Sequence, residues 1–186
     1  GASLEVVKDG YYILDKFGEV YEFGEGIFYG DAKLENAVDL EVVNNGYYIL
    51  DKKGIVASYG SADNYGFGGL DDEYTDLEIV ENGYYLLARS GKVEVFGDAG
   101  FYGDLHEANA IDLVLTKNGY YILEENGKLN LFGNAKDFGF EEYDESSIKD
   151  MEIIPSGNGY YILDGHGNTY SYDAAAGFPG PEFSKE

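Results

Sequence analysis

The chain has 186 residues, 36 acidic against 12 basic, and a formal net charge of −24. Such a surface repels phosphate backbones and anionic lipid, so neither nucleic acid nor membrane insertion is expected. With no Cys there is no disulfide or thiolate chemistry, no apolar run approaches the length of a transmembrane helix, and no signal-peptide pattern is read.

In chain order, one hairpin is written five times. Gly10-Tyr11-Tyr12-Ile13-Leu14-Asp15 recurs in nearly the same letters at Gly46–Asp51, Gly83–Ala88, Gly119–Glu124 and Gly159–Asp164, and a period of roughly 36 to 40 residues is that of a repeat architecture. The second copy is the cleanest. Asp39-Leu40-Glu41-Val42-Val43 reads as a short strand, and Asn44-Asn45-Gly46 as a tight connection in which Asn and Gly tolerate positive φ. Tyr47-Tyr48-Ile49-Leu50 is a second strand, Asp51-Lys52-Lys53-Gly54 a second turn, and 55–60 a third strand. First strands in the other copies fall at 4–7, 77–80, 113–116 and 151–154, and second turns at 15–18, 88–91, 124–127 and 164–167. After each third strand comes an aromatic followed closely by Gly: Phe28-Tyr29-Gly30, Tyr65-Gly66, Phe101-Tyr102-Gly103, Phe138-Gly139 and Phe178-Pro179-Gly180. Each of these segments could form a short fourth strand or a tucked aromatic bulge.

Units of about 37 residues cannot each hold a core. The expectation is one all-β domain over 1–186, with repeats at approximately 3–37, 38–74, 75–110, 111–148 and 149–186. Three to four antiparallel strands per repeat suit a five-bladed β-propeller; an open β-hairpin solenoid is the alternative. Adjacent tyrosines on a strand face opposite sides of the sheet. One of each pair should pack between sheets, and the other could reach a groove or channel.

The string Gly-Tyr-Tyr-Ile-Leu-Asp-x-x-Gly-x-Val-x-x-Phe-Gly, continuing into Phe-Tyr-Gly as at 10–30 and, with Leu86 for Ile and Ala88 for Asp, at 83–103, resembles repeats found in many bacterial secreted proteins. Those read Gly-Tyr-Trp/Tyr-hydrophobic-Leu-Asp, then Gly-Gly-Val, then Phe-Gly-Asp-Ala. The chain departs from them in having Tyr for Trp and one Gly at the second turn. The resemblance implies a propeller-like domain, an extracellular or cell-envelope location and a binding or scaffolding role.

The chemistry-bearing residues are few. His106 and His166 occupy non-equivalent places without a companion His or Cys, so no zinc set is formed. Glu5, Glu41, Glu78 and Glu152 recur on the first strands, with Val114 in the fifth place, and Asp39, Asp76, Asp112 and Asp150 precede four of them. If first strands are innermost, these carboxylates could ring a channel and attract a hard cation such as calcium; no other cofactor is expected. The alternative is that they cap strand ends or lie solvated. A five-fold repeated acid is not the distinct acid and nucleophile of a glycosidase, so a hydrolase using channel carboxylates ranks behind a non-catalytic module. The first tyrosines, Tyr11, Tyr47, Tyr84, Tyr120 and Tyr160, are the candidate ligand contacts, since exposed rings beside Asp and Asn stack on sugars. The reading is a monomeric extracellular module that recognises a glycan or protein through its loop-lined face, with a structural spacer as the second hypothesis.

Overall fold

The computed structural model describes residues 3–139 and 148–173; the aromatic-Gly segment at 178–180 lies outside the described residues. Fifteen strands form five antiparallel sheets of three, each a meander in sequence order. Blade 1 is β1 (Ser3–Val7), β2 (Gly10–Leu14) and β3 (Val20–Gly24). Blade 2 is β4 (Ala37–Val43), β5 (Gly46–Asp51) and β6 (Val56–Gly60). Blade 3 is β7 (Tyr74–Val80), β8 (Gly83–Ala88) and β9 (Val93–Gly97). Blade 4 is β10 (Ala110–Thr116), β11 (Gly119–Glu124) and β12 (Leu129–Gly133), and blade 5 is β13 (Ile148–Ile153), β14 (Gly159–Asp164) and β15 (Thr169–Asp173). The chain divides into two compact units, Gly1–Phe101 and Tyr102–Glu186.

The middle strand of each blade is the core. All six residues of β5, β8 and β11 are buried; β5 lies between the sheets of blades 1 and 3, so both of its sides must be apolar. Alternation then assigns the pair. Tyr47 and Ile49 pack toward blade 1 against Tyr12, Leu14 and Val20, while Tyr48 and Leu50 pack toward blade 3 against Tyr74, Tyr84 and Leu86. In the second unit Tyr121 and Leu123 meet Tyr160 and Ile162 in the same way.

The Asp-x-x-Gly turns form as the sequence predicts. Gly54 N–H donates to Asp51 O at 3.0 Å, Gly54 has φ +80°, and Asp51 Oδ1 accepts the amides of Lys53 and Ile55, both at 2.9 Å. The first turn differs from expectation. Neither Asn44 nor Asn45 has positive φ; the left-handed residue is Gly60 at the end of β6, and Ser61 N–H donates to Asn45 O at 2.8 Å. Gly46 is required for closeness, since a Cβ there would stand 2.1 Å from Tyr59 O. First strands of blades 2 to 5 also start earlier than expected, across a bulge such as that between Ala37 and Asp39.

Candidate ligand-binding clefts between blades

The tyrosine pairs prove to be clamps on the linkers between blades. Tyr12 hydroxyl donates to Ile27 O at 3.0 Å and accepts from Ile27 N–H at 2.8 Å. Tyr47, from the following blade, donates to Gly30 O at 2.6 Å and accepts from Gly30 N–H at 2.9 Å and Tyr29 N–H at 3.2 Å. The linker is thus held at its start by the second tyrosine of its own blade and at its end by the first tyrosine of the next. The pattern repeats, with Tyr48 on Asp63 and Tyr84 on Gly66, Tyr85 on Gly100, Tyr120 on Gly103, and Tyr121 on Lys136 with Tyr160 on Gly139. Gly30 must be glycine in this arrangement, as a Cβ would stand 2.7 Å from the Tyr59 ring. Among the described residues no linker forms a fourth strand; the tucked aromatic segment is what the chain adopts.

Of the first tyrosines, the candidate ligand contacts, four of the five are enclosed by the protein. Tyr47, Tyr84, Tyr120 and Tyr160 are 0% exposed, because the linker aromatic covers the ring and the carbonyl of the glycine after it accepts from the hydroxyl. Tyr47 meets Tyr12, Tyr29 and Tyr59 at centroid separations of 5.6–5.7 Å, the edge-on range favoured by aromatic pairs. Tyr11 alone is exposed, at 39%, stacked on Phe23 with centroids 4.7 Å apart and planes 14° from parallel. Burial pushes the phenols of Tyr47, Tyr84, Tyr121 and Tyr160 above their ordinary value and that of Tyr48 up to about 12. The group stays protonated and keeps its donor.

First strands of successive blades are neighbours within each unit, β1 with β4, β4 with β7 and β10 with β13. Each recurring glutamate pairs across the ladder with a tyrosine of its own blade: Glu5 with Tyr12, Glu41 with Tyr48, Glu78 with Tyr85 and Glu152 with Tyr161. Among the described residues no three His, Asp or Glu side chains stand close enough together to hold a metal ion. Burial, then the charge of Asp150, raises the Glu152 carboxyl. The aspartates at the bulges tie blades together. Asp39 Oδ2 accepts Leu77 N–H at 3.0 Å, from the inner strand of the next blade, and Asp112 Oδ2 accepts Met151 N–H at 2.9 Å. Burial raises the Asp39 carboxyl against the pull of these amide bonds.

Two clefts between blades open on the face carrying the first turns, and a separate opening of 530 Å³ lies at the second turn of blade 2, lined by Asn36, Lys52, Lys53, Asp71, Asp72 and Glu73. A cleft of 220 Å³ separates blades 1 and 2, lined by Lys8, Asp9, Glu25 and Ile27 and by the turn at Asn44 and Asn45. The corresponding cleft between blades 4 and 5 measures 620 Å³. It is flanked by Lys117 and Asn118 on one side, by Asn134 and Lys136 along the linker, and by the 155–158 loop on the other. That loop is two residues longer than Lys117-Asn118 of the preceding repeat. Pro155 sits second in a turn closed by Gly157 N–H to Ile154 O at 2.8 Å, and Ile154 N–H to Gly159 O at 3.1 Å closes the hairpin behind it. Sequence reasoning did not single this loop out. Its signal was the longer interval from Gly119 to Gly159 and a Pro where the other repeats have a two-residue turn.

No family model and no curated protein matches the chain. Among solved structures it is similar to the computationally designed Ika8 protein, with TM-score 0.64 and 14% identity over 94% of this chain and 58% of that one. It is also similar to the C-terminal WD40 domain of Sif2, with TM-score 0.62 and 16% identity over 92% of this chain and 54% of that one. The fold is a β-propeller. Among the described residues its five blades have three strands each. A third similarity is to PorZ, a surface component of the type-IX secretion system of Porphyromonas gingivalis, with TM-score 0.52 and 18% identity over 97% of this chain and 27% of that one. The chain spans little more than half the length of the first two structures and about a quarter of the third. Identities this low carry the fold alone.

Proposed function

We propose that this propeller is a non-catalytic extracellular recognition module that holds a glycan or protein ligand in the clefts between blades on the first-turn face. The observation that carries this is the 620 Å³ cleft between blades 4 and 5, built by a loop that breaks the repeat and lined by exposed amide, hydroxyl and ammonium groups. Such a mixture of a few polar groups on an apolar floor is what small-ligand sites use to orient what they bind. An extracellular setting is supported by the repeat motif and by the likeness to a bacterial surface component. The test is binding of the full chain to arrays of immobilised glycans and envelope proteins, with the 155–158 loop shortened to Lys-Asn in a parallel sample. The reading requires a ligand that the parent binds and the shortened variant loses. Flat arrays for both would favour a structural spacer, a reading consistent with the commitment of nearly every tyrosine pair to blade cohesion.

A further inference from the structure

We propose that the cleft between blades 4 and 5 takes an acidic saccharide, a chain of sugars bearing carboxylates such as a uronate oligomer, with Lys117 and Lys136 as its carboxylate contacts. This deepens the recognition role above and rests on it.

Charge placement is the first support. In a chain with 36 acidic residues and only 12 basic ones, the lining of this cleft holds, among the described residues, two lysines and no Asp or Glu. The repeat locates the difference. Asn118 stands where three other repeats also carry Asn, at 45, 82 and 158. Asn134 and Lys136, however, replace the Glu25 and Ile27 of the cleft between blades 1 and 2, and the next two linkers have Ser61 and Asp63, and Asp98 and Gly100, at those places. An acid has become an amide and an apolar residue has become a cation, both in one cleft.

Positioning is the second support. The Tyr121 hydroxyl clamps Lys136 by both backbone groups, donating to its carbonyl at 2.5 Å and accepting from its amide at 3.0 Å. The Lys136 ammonium therefore springs from a fixed backbone. Lys117 is carried on the tight β10–β11 turn, and the Pro155 turn fixes the facing wall. With the backbone already fixed, a charge-assisted bond from the ammonium to a carboxylate costs only the ordering of the side chain.

The remaining groups select a sugar. Asn118, Asn134 and Asn158 each present a donor and an acceptor on one carbon, matching a pair of neighbouring hydroxyls, and Ser156 adds a hydroxyl. Thr116 lines the same cleft with its hydroxyl buried and without a hydrogen-bond partner in the protein. Leu115, Ile153 and Pro155 supply an apolar floor for a ring face. An acidic peptide would instead be captured along an unpaired strand edge, whereas turns and a linker line this cleft.

The experiment is calorimetric titration of the full chain with tetragalacturonate and with neutral galactotetraose. It is repeated on the Lys117→Gln/Lys136→Gln double variant and on Lys8→Gln, which alters only the cleft between blades 1 and 2. Both lysines of the pair are exposed, so unchanged melting temperatures are expected. The proposal requires the acidic oligomer to bind the parent at least about tenfold more tightly than the neutral one, an advantage lost in the double variant and kept in Lys8→Gln. Equal affinity for both sugars, indifference to the double variant, or tighter binding of a polyglutamate peptide would overturn it. If the neutral sugar binds and Asn158→Ala abolishes that binding, the recognition role stands and the acidic preference fails. Silence toward every sugar overturns the saccharide assignment, and the array experiment then decides the recognition role separately.

Discussion

Removing one hydroxyl, in Tyr47→Phe, tests whether the linkers are held by tyrosine. The oxygen lost makes three contacts, donating to Gly30 O at 2.6 Å and accepting from Gly30 N–H at 2.9 Å and Tyr29 N–H at 3.2 Å. The ring and its aromatic neighbours stay, so packing is nearly constant and the polar term is isolated. A net hydrogen bond is worth about 1 kcal/mol, and a buried group left unpaired costs about 1–3 kcal/mol. Tyr29 and Gly30 are only half-buried, so water repairs part of the loss and the balance is about 2 kcal/mol. In urea, at a slope of about 2 kcal/mol per M, the unfolding midpoint falls by about 1 M with the slope unchanged. Tyr84→Phe, which loses the bond to Gly66 O at 2.6 Å, should behave alike. The control is Tyr21→Phe, whose hydroxyl bonds Glu19 at the surface and whose loss should leave the midpoint where it was. A Tyr47→Phe midpoint matching that control would refute the clamp.

Three further outcomes follow from the same geometry. Gly54→Val should cost about 3 kcal/mol, because a branched residue is forced to positive φ while its Cβ meets the Tyr74 ring at 2.6 Å and Gly68 Cα at 2.8 Å; an unchanged melting temperature would contradict the turn assignment. The buried phenols have folded pKa values above their unfolded value of about 10, so the stability they contribute is complete below that pH and is lost as pH rises beyond it. Tyrosinate absorbance should then lag in the folded protein and rise with unfolding, whereas full titration near pH 10 without unfolding would count against burial. Burial alone would raise the Asp164 carboxyl, but bonds from Asn168, His166 and Tyr170 outweigh it and hold it at about 2. That contribution is full above about pH 4 and disappears as pH falls toward the folded value, so Asp164→Ala should cost about 2 kcal/mol at neutral pH and flatten the acid limb of stability.

The five hairpins were legible because each carries its own local chemistry. Asp51 and Gly54 dictate a turn wherever they stand, and the unbroken burial of β5 follows from a strand with sheets on both sides. The tyrosine hydroxyls were not legible in the same way. A Tyr-Tyr pair reads equally as core or as a displayed aromatic face, and only the three-dimensional return of the linker over Tyr47 shows that its proton goes to Gly30. For the same reason the glutamates could not be resolved from sequence, since their common position says nothing of whether four carboxylates converge. The bulge before Asp39 was also invisible, because an extra residue in a ladder leaves no mark until its partner strand is known. The cleft between blades 4 and 5 was within reach: a longer repeat interval and Pro155 marked it, but attention to what the copies share conceals where one departs.

Amide hydrogen exchange at single-residue resolution tests the central claim most directly, that tyrosine hydroxyls make the linkers part of the fold and leave recognition to the turn-face clefts. The amides of Ile27, Gly30, Gly100 and Lys136 lie outside the strands, yet each donates to a buried tyrosine oxygen. They should exchange orders of magnitude more slowly than free loop amides, with protection at Gly30 lost in Tyr47→Phe. Exchange of all four at the rate of an unstructured loop would contradict the account.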